Sequence, residues 1–310
     1  MAKNNNRKNK TLIIIIILFL LFITALISAG IISLFALGSD TEGFGNVALI
    51  PIKGAITTDS VSGMFSSEVS DSSEIVSMIE KADSNPSIRA MIFEINSPGG
   101  SPVATDEIAS AIKKTNKTTV AWIRAYGASG AYWIASSCDY IVANKMSITG
   151  SVGVISSYLE FAEFIENYNV TYRRLVSGSY KDIGDPFREL SEPEEIILQN
   201  KMDKIHEFFI DEVVKNRNLT QAQKDEISSG IFYLGIEAKE LNLVDELGDK
   251  DSAVKYIKEK ENISVKLVSY KTKKSFLQLL NELSNEQAFF MGRGISFMPY
   301  MNFGRQYSLE

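Results

Sequence analysis

Ser129 stands in the run Ala125-Tyr126-Gly127-Ala128-Ser129-Gly130-Ala131, which follows one apolar stretch and precedes another, Tyr132 to Ala135. A serine where a strand gives way to a helix is most simply an N-cap, its hydroxyl accepting from the first turn. The small neighbours also leave room for a peptide, and a helix N-terminus favours negative charge developing on a nearby oxygen. Nucleophilic attack is thus a second chemistry open to Ser129, and it needs a base. The single histidine, His206, lies in the amphipathic stretch Met202 to Val214 beside Ile205, Phe208 and Phe209 and reads as a structural or surface position. Lysine is the other base, and Ser177-Gly178-Ser179-Tyr180-Lys181-Asp182-Ile183-Gly184 offers Lys181 in a glycine-containing, partly apolar loop. The simpler role is a solvated loop charge. To act as base the lysine must be neutral, which requires that something apolar strip water from its ammonium. Tyr180, Ile183 and Phe187, a bound substrate or a neighbouring subunit could provide that cover, and Asp182 is expected to turn its carboxylate away.

Two further segments could complete such a site. Ile95-Asn96-Ser97-Pro98-Gly99-Gly100 ends an apolar strand in a turn whose glycines can bare backbone N–H groups, so Gly99 and Gly100 are candidate donors to an oxyanion. An ordinary strand-to-helix turn would look the same. Thr149-Gly150-Ser151-Val152-Gly153-Val154 places Ser151 between the two chemical segments, where its hydroxyl could orient the lysine; alone the stretch is a glycine-containing strand edge.

Composition removes other classes. A net charge of -6 leaves no basic surface for nucleic acid, and one cysteine, Cys138, with one histidine cannot build a zinc site or a disulfide framework. No metal and no cofactor is expected. Asn116, Asn169, Asn218 and Asn262 each open an Asn-X-Ser/Thr tripeptide, a pattern also common by chance.

The elements that must position these residues alternate. Strand-like runs at Val47 to Ile52, Ala90 to Ile95, Thr119 to Ile123, Tyr140 to Ala143 and Thr171 to Leu175 are interleaved with helical spacing at Ser73 to Ala82, Thr105 to Lys114, Ala131 to Ser136 and Tyr158 to Tyr168. That pattern predicts an α/β fold of βαβ units. Ser191 and Glu194 have capping-box spacing and open a helix through about Asn216; Thr220 and Gln223 repeat it. Helical spacing continues at Ile236 to Asn242 and Lys250 to Glu259, and Ser264 to Tyr270 reads as a last strand.

Ahead of this body, residues 12–37 carry no charge, and as a helix they would run roughly 39 Å against a hydrocarbon core of ~30 Å. The run is longer than the apolar part of a cleavable signal peptide. Lys3, Arg7, Lys8 and Lys10 precede it, so the expectation is an uncleaved single-pass anchor with the N-terminus in the cytoplasm and the body outside the cell membrane.

Together the Ser-Pro-Gly-Gly turn, Ala-Ser-Gly-Ala, Thr-Gly-Ser-Val-Gly-Val and Tyr-Lys-Asp-Ile-Gly, with Ala238 to Gly248, resemble the signal peptide peptidase A family in its short, single-domain form, within the ClpP/crotonase superfamily. The likeness runs from about Val47 to Glu259. It implies a ClpP/crotonase-like serine protease with Ser129 as nucleophile, Lys181 as general base, Ser151 as auxiliary serine, and Gly99, Gly100 and the Gly130 backbone around the oxyanion. It further implies remnant signal peptides and similar apolar peptides as substrates, and a homo-oligomeric ring in which serine and lysine come from adjacent subunits. The segment Gly230-Ile231-Phe232-Tyr233-Leu234-Gly235 departs from the family pattern. The resulting organisation is a basic cytoplasmic N-terminus at 1–11, a transmembrane signal anchor at 12–37, a linker at 38–46, the protease domain at 47–270 and a tail at 271–310 that is inter-subunit or flexible. Rival readings are a protease of the NfeD type acting on a membrane protein, a crotonase-like acyl-CoA enzyme, and a non-catalytic membrane scaffold.

Overall fold

A computed structural model of the chain describes residues 14–28, 45–59 and 69–271. Residues 14–28 form a helix, α1. Among the described residues no helix is long and apolar enough to cross a membrane. The rest of the 12–37 run, like the tail from 272 on, lies outside the described residues.

The described residues 45–59 and 69–271 belong to one compact unit built around a mainly parallel sheet. Its strands are β1 (Val47–Lys53), β4 (Ala90–Ser97), β5 (Thr118–Ala128), β6 (Tyr140–Ala143), β7 (Ile148–Gly150), β8 (Phe232–Leu234), β9 (Glu246–Leu247) and β10 (Leu267–Ser269). The order is β10-β1-β4-β5-β6-β9, with β7 on the far half of β5 and β8 antiparallel to β7. Two short strands, β2 (Ala55–Thr57) and β3 (Val69–Asp71), pair separately.

Both faces of the sheet are covered, which is why β1 and β4 read as nearly continuous apolar runs. Met91, Phe93 and Ile95 of β4 point into the larger core with α2 (Ser72–Ser84), α3 (Pro102–Lys114), α4 (Gly130–Ser136) and α6 (Glu192–Arg217). Ala90 and Ile92 alternate to the other face, against Ala253 and Ile257 of α9 (Lys250–Glu261). Asp71 and Ser101 cap α2 and α3, and Pro102 occupies the first position of α3, where its missing N–H costs nothing. The far end of α6 is tied down by Arg217, which is buried and donates to both oxygens of Asp245 (2.9 and 2.7 Å) and to the Asn242 carbonyl. The short helices α7 (Gln221–Ile227) and α8 (Gly235–Glu240) complete the C-terminal half.

After β7 the chain leaves the core. Helix α5 (Ala162–Asn167) buries no residue, and the extended strand expected at Thr171 to Leu175 is not formed: 171–175 are irregular and exposed throughout. Its β-branched and aromatic composition is not enough without an edge to pair with. Instead this arm is braced internally, by Phe161 N–H to the Pro186 carbonyl and Tyr172 Oη–H to Asp185. Ile155 is 93% exposed and Leu175 99%.

Candidate active site

The site is set by β5 changing partners. Its first half pairs with β6 through Ile123↔Ala143, and its second half pairs with β7, Tyr126↔Ile148 to Ala128↔Gly150. Between them Ser147 Oγ donates to the carbonyl of Arg124 and Thr149 Oγ1 to that of Gly127 (2.7 Å), closing the gap that the switch opens. The next residue on each strand is a serine. Ser129 N–H donates to the Gly150 carbonyl at 2.8 Å, so Ser129 and Ser151 leave adjacent strands side by side.

Ser129 has φ 54° and ψ -130°, a region that L residues other than glycine rarely enter and that costs on the order of 1–3 kcal/mol. It occupies the N-cap position of α4, yet its side chain makes no capping bond, and its Oγ has no hydrogen-bond partner among the described residues. The N-cap role, the simplest one for this serine, is therefore absent. A half-buried hydroxyl is instead held on a strained strand-to-helix turn with its oxygen free.

Gly99 presses against that turn. A Cβ at Gly99, whose φ is +98°, would lie 2.8 Å from Gly130 N, 2.9 Å from the Ala128 carbonyl and 2.9 Å from Ser129 Cβ. Gly130 is similarly confined, since a Cβ there would meet Thr105 Oγ1 at 2.4 Å. The donors differ in availability. Gly99 N–H is committed to Ser97 Oγ at 3.1 Å, whereas the N–H groups of Gly100 and Gly130 find no acceptor among the described residues. Gly100 is fixed by Ile56, whose N–H and carbonyl bind its two neighbours at 3.0 and 2.8 Å. Gly99 thus supplies close approach, and Gly100 and Gly130 supply unspent donors. Substituting Gly99→Ala should cut peptide hydrolysis roughly a hundredfold by displacing the turn, since ~1 Å of misplacement can cost that much. An unchanged rate, measured alongside a urea midpoint, would remove Gly99 from the site.

Ser151 also has positive φ, 51°, and its N–H donates to the Ile231 carbonyl at 3.0 Å. That carbonyl immediately precedes β8, so the segment that departs from the family pattern forms the wall beside Ser151. Three residues are too few for strand periodicity to register, and that is why sequence reading missed it. His206, on α6, meets the Val152 carbonyl through Nε2 at 2.9 Å. Facing a carbonyl, Nε2 donates its proton and is not the acceptor that Ser129 would need.

Lys181 lies at the far end of the arm, in the turn 177–184. It is exposed, and no hydrogen bond joins its ammonium to Ser129 or Ser151. The intended apolar cover is thin within one chain: Tyr180 is 51% exposed and Phe187 45%. Asp182 does turn to other partners. Its carboxylate receives Arg174 Nη2 at 2.6 Å and Arg188 Nε at 3.3 Å, which hold it far below the usual carboxylate range. The structure thus brings together Ser129, Ser151, Gly99, Gly100 and Gly130, whereas among the described residues no hydrogen bond ties the Lys181 ammonium to them. Among the described residues no group of three or more His, Cys, Asp or Glu side chains could hold a metal ion.

Residues 111–264 match the model of peptidase family S49. An Enterococcus faecium protein that carries the name signal peptide peptidase SppA is 30% identical over 236 residues, 74% of this chain and 69% of its own. The chain belongs to peptidase family S49. A Methanocaldococcus jannaschii protein named as a protease is 29% identical over 251 residues, 79% of this chain and 81% of its own. Protease 4 of Haemophilus influenzae is 31% identical over 211 residues, but this chain covers only 34% of it. As a family S49 member of the signal peptide peptidase A kind, the chain is a serine peptidase. The matched span contains Ser129, Ser151 and Lys181, whereas Gly99 and Gly100 precede it.

Proposed function

We propose that this S49 peptidase is a membrane-anchored endopeptidase that cleaves apolar peptides, remnant signal peptides among them, with Ser129 as nucleophile and Lys181 as general base. The observation that carries the reading is the uncapped, strained Ser129 with a free hydroxyl beside the unspent N–H of Gly130. Neutral Lys181 takes the Ser129 proton, the alkoxide attacks the peptide carbonyl, and the N–H groups of Gly100 and Gly130 receive the oxyanion. The resulting ammonium protonates the leaving amine. Water, activated by the same lysine, then hydrolyses the ester and restores the serine. Ser151, beside Ser129, positions the lysine amine.

The exposure of Lys181 sets a condition on this chemistry. A lysine serves as base only where its amine is withdrawn from water, so an exposed Lys181 needs another body to cover it. The arm that carries it also presents a run of exposed apolar residues, the kind of surface that marks an interface. We read both as signs of a homo-oligomeric ring in which the lysine of one protomer serves the serine of the next. The charge-free run 12–37 anchors the assembly, N-terminus in the cytoplasm and body outside.

A fluorophosphonate probe added to the purified full chain tests the reading. One adduct per active chain, mapped to Ser129, is the expected result, with labelling per chain falling as the protein is diluted through its dissociation range. Labelling at another serine sinks the nucleophile assignment, and labelling independent of concentration sinks the shared site.

A further inference from the structure

The arm bearing Lys181 is not free to wander, because a chain of charged hydrogen bonds fastens it to the start of α6. Arg188 is the centre of that chain. Its Nη1 and Nη2 donate to both oxygens of Glu194 at 2.8 and 2.6 Å, its Nη2 donates to the Asp182 carbonyl at 2.9 Å, and its Nε reaches the Asp182 carboxylate at 3.3 Å. Two parallel bonds between a guanidinium and a carboxylate fix direction as well as distance. Glu194 sits in the first turn of α6, buried, and also receives the N–H and hydroxyl of Ser191 at 3.1 and 2.7 Å. Arg188, and secondarily Ser191, hold its carboxyl at about 2. From the other side, Arg174 donates to the Asp182 carboxylate and to the Ser179 carbonyl at 3.0 Å. Ser179 and Asp182, which flank the lysine turn, are therefore gripped, while the Lys181 amine has no partner among the described residues.

We propose that Arg188, with Glu194 and Asp182, is a positioning device for Lys181. It sets where the lysine turn stands relative to α6, and it keeps the one adjacent carboxylate away from the amine. Helix α6, packed on the core through Phe209, Ile210 and Val213, is the fixed body to which this fastening ties the lysine turn. The charged and titratable groups around the clamp are Arg174, Asp185 and Tyr172 from the arm, and Glu194 from α6.

The inference rests on the dyad reading, so Lys181→Ala is measured beside the clamp variants in the full-length protein. In Arg188→Gln, Asp182 is released from one partner and can approach the Lys181 ammonium, favouring its charged form. More alkaline solution is then needed to generate the neutral base. The expected result is a tenfold or greater loss of kcat with KM changed less than threefold, and an acid limb of the kcat/KM profile moved to higher pH. Removing the carboxylate in Arg188→Gln/Asp182→Asn should move that limb back, although kcat stays low. Arg188→Lys, which keeps the charge but loses the fork, should fall between. A loss of activity with an unmoved limb would overturn the proposal, as would a limb that the double variant fails to restore. If Lys181→Ala retains activity, the dyad itself has failed. If Lys181→Ala is inactive and the clamp variants behave as the parent, only the clamp has. Should Arg188→Gln unfold, the same limb is read in Glu194→Gln, which loosens Arg188 from α6 without removing a side chain.

Discussion

Ser129→Ala is expected to reduce peptide hydrolysis a thousandfold or more, on the scale, roughly, of nucleophile removal in other serine peptidases, while the fold is kept. The more telling variant is Ser129→Gly. Serine at φ 54°, ψ -130° carries backbone strain that glycine does not, and the Ser129 hydroxyl makes no hydrogen bond among the described residues whose loss would offset the relief. Glycine also costs more entropy on folding, so the net gain in stability should be about 1 kcal/mol, read as a higher urea midpoint with an unchanged slope. An inactive yet more stable Ser129→Gly protein is the signature of strain kept for chemistry. A variant that loses stability would mean that the turn is held by a contact of the serine side chain and that the oxygen is not free.

Lys181→Ala should abolish hydrolysis to a similar depth, about a thousandfold, because without a base the serine hydroxyl keeps its proton. Lys181→Arg should be as inactive as the alanine variant, since a guanidinium remains charged and cannot accept the proton. His206→Ala should retain most of the activity, its ring being engaged with the Val152 carbonyl. Initial rates on an apolar fluorogenic peptide separate these outcomes. Full activity in Lys181→Arg, or its loss in His206→Ala with Lys181→Ala active, would move the base elsewhere. Stability should hardly respond in the lysine variants, because the side chain is exposed and has no partner among the described residues.

The alternating β/α order was legible because each parallel strand is covered on both faces and therefore reads as a compact apolar run. β1, β4, β5 and β6 all contain the stretches that their composition marks, and the helices at Ser72–Ser84 and Pro102–Lys114 begin at recognisable caps. The arm was harder to read. Thr171 to Leu175 has strand composition but no edge beside it, and local propensity cannot report a missing partner. In the site, residue types and order pointed to Ser129, Ser151 and the glycines. What they could not convey is the division of labour between Gly99, whose N–H is spent on Ser97, and the open donors of Gly100 and Gly130. That distinction depends on how a single side chain folds back. The clamp on Asp182 was equally hidden, since Arg174, Arg188 and Glu194 look like ordinary surface charges until the arm brings them together.

The pairing of β7 with β8 has a consequence for how the enzyme is made. Gly150 lies opposite Phe232, so the edge that carries Ser151 has no partner until roughly 80 further residues have left the ribosome, a delay on the order of ten seconds at ordinary rates of synthesis. β1 waits longer still, for β10 near the end of the body. Throughout that interval the nascent chain has its serine but not the wall beside it. The edge that carries Ser151 is thus completed only when nearly all of the body has been delivered.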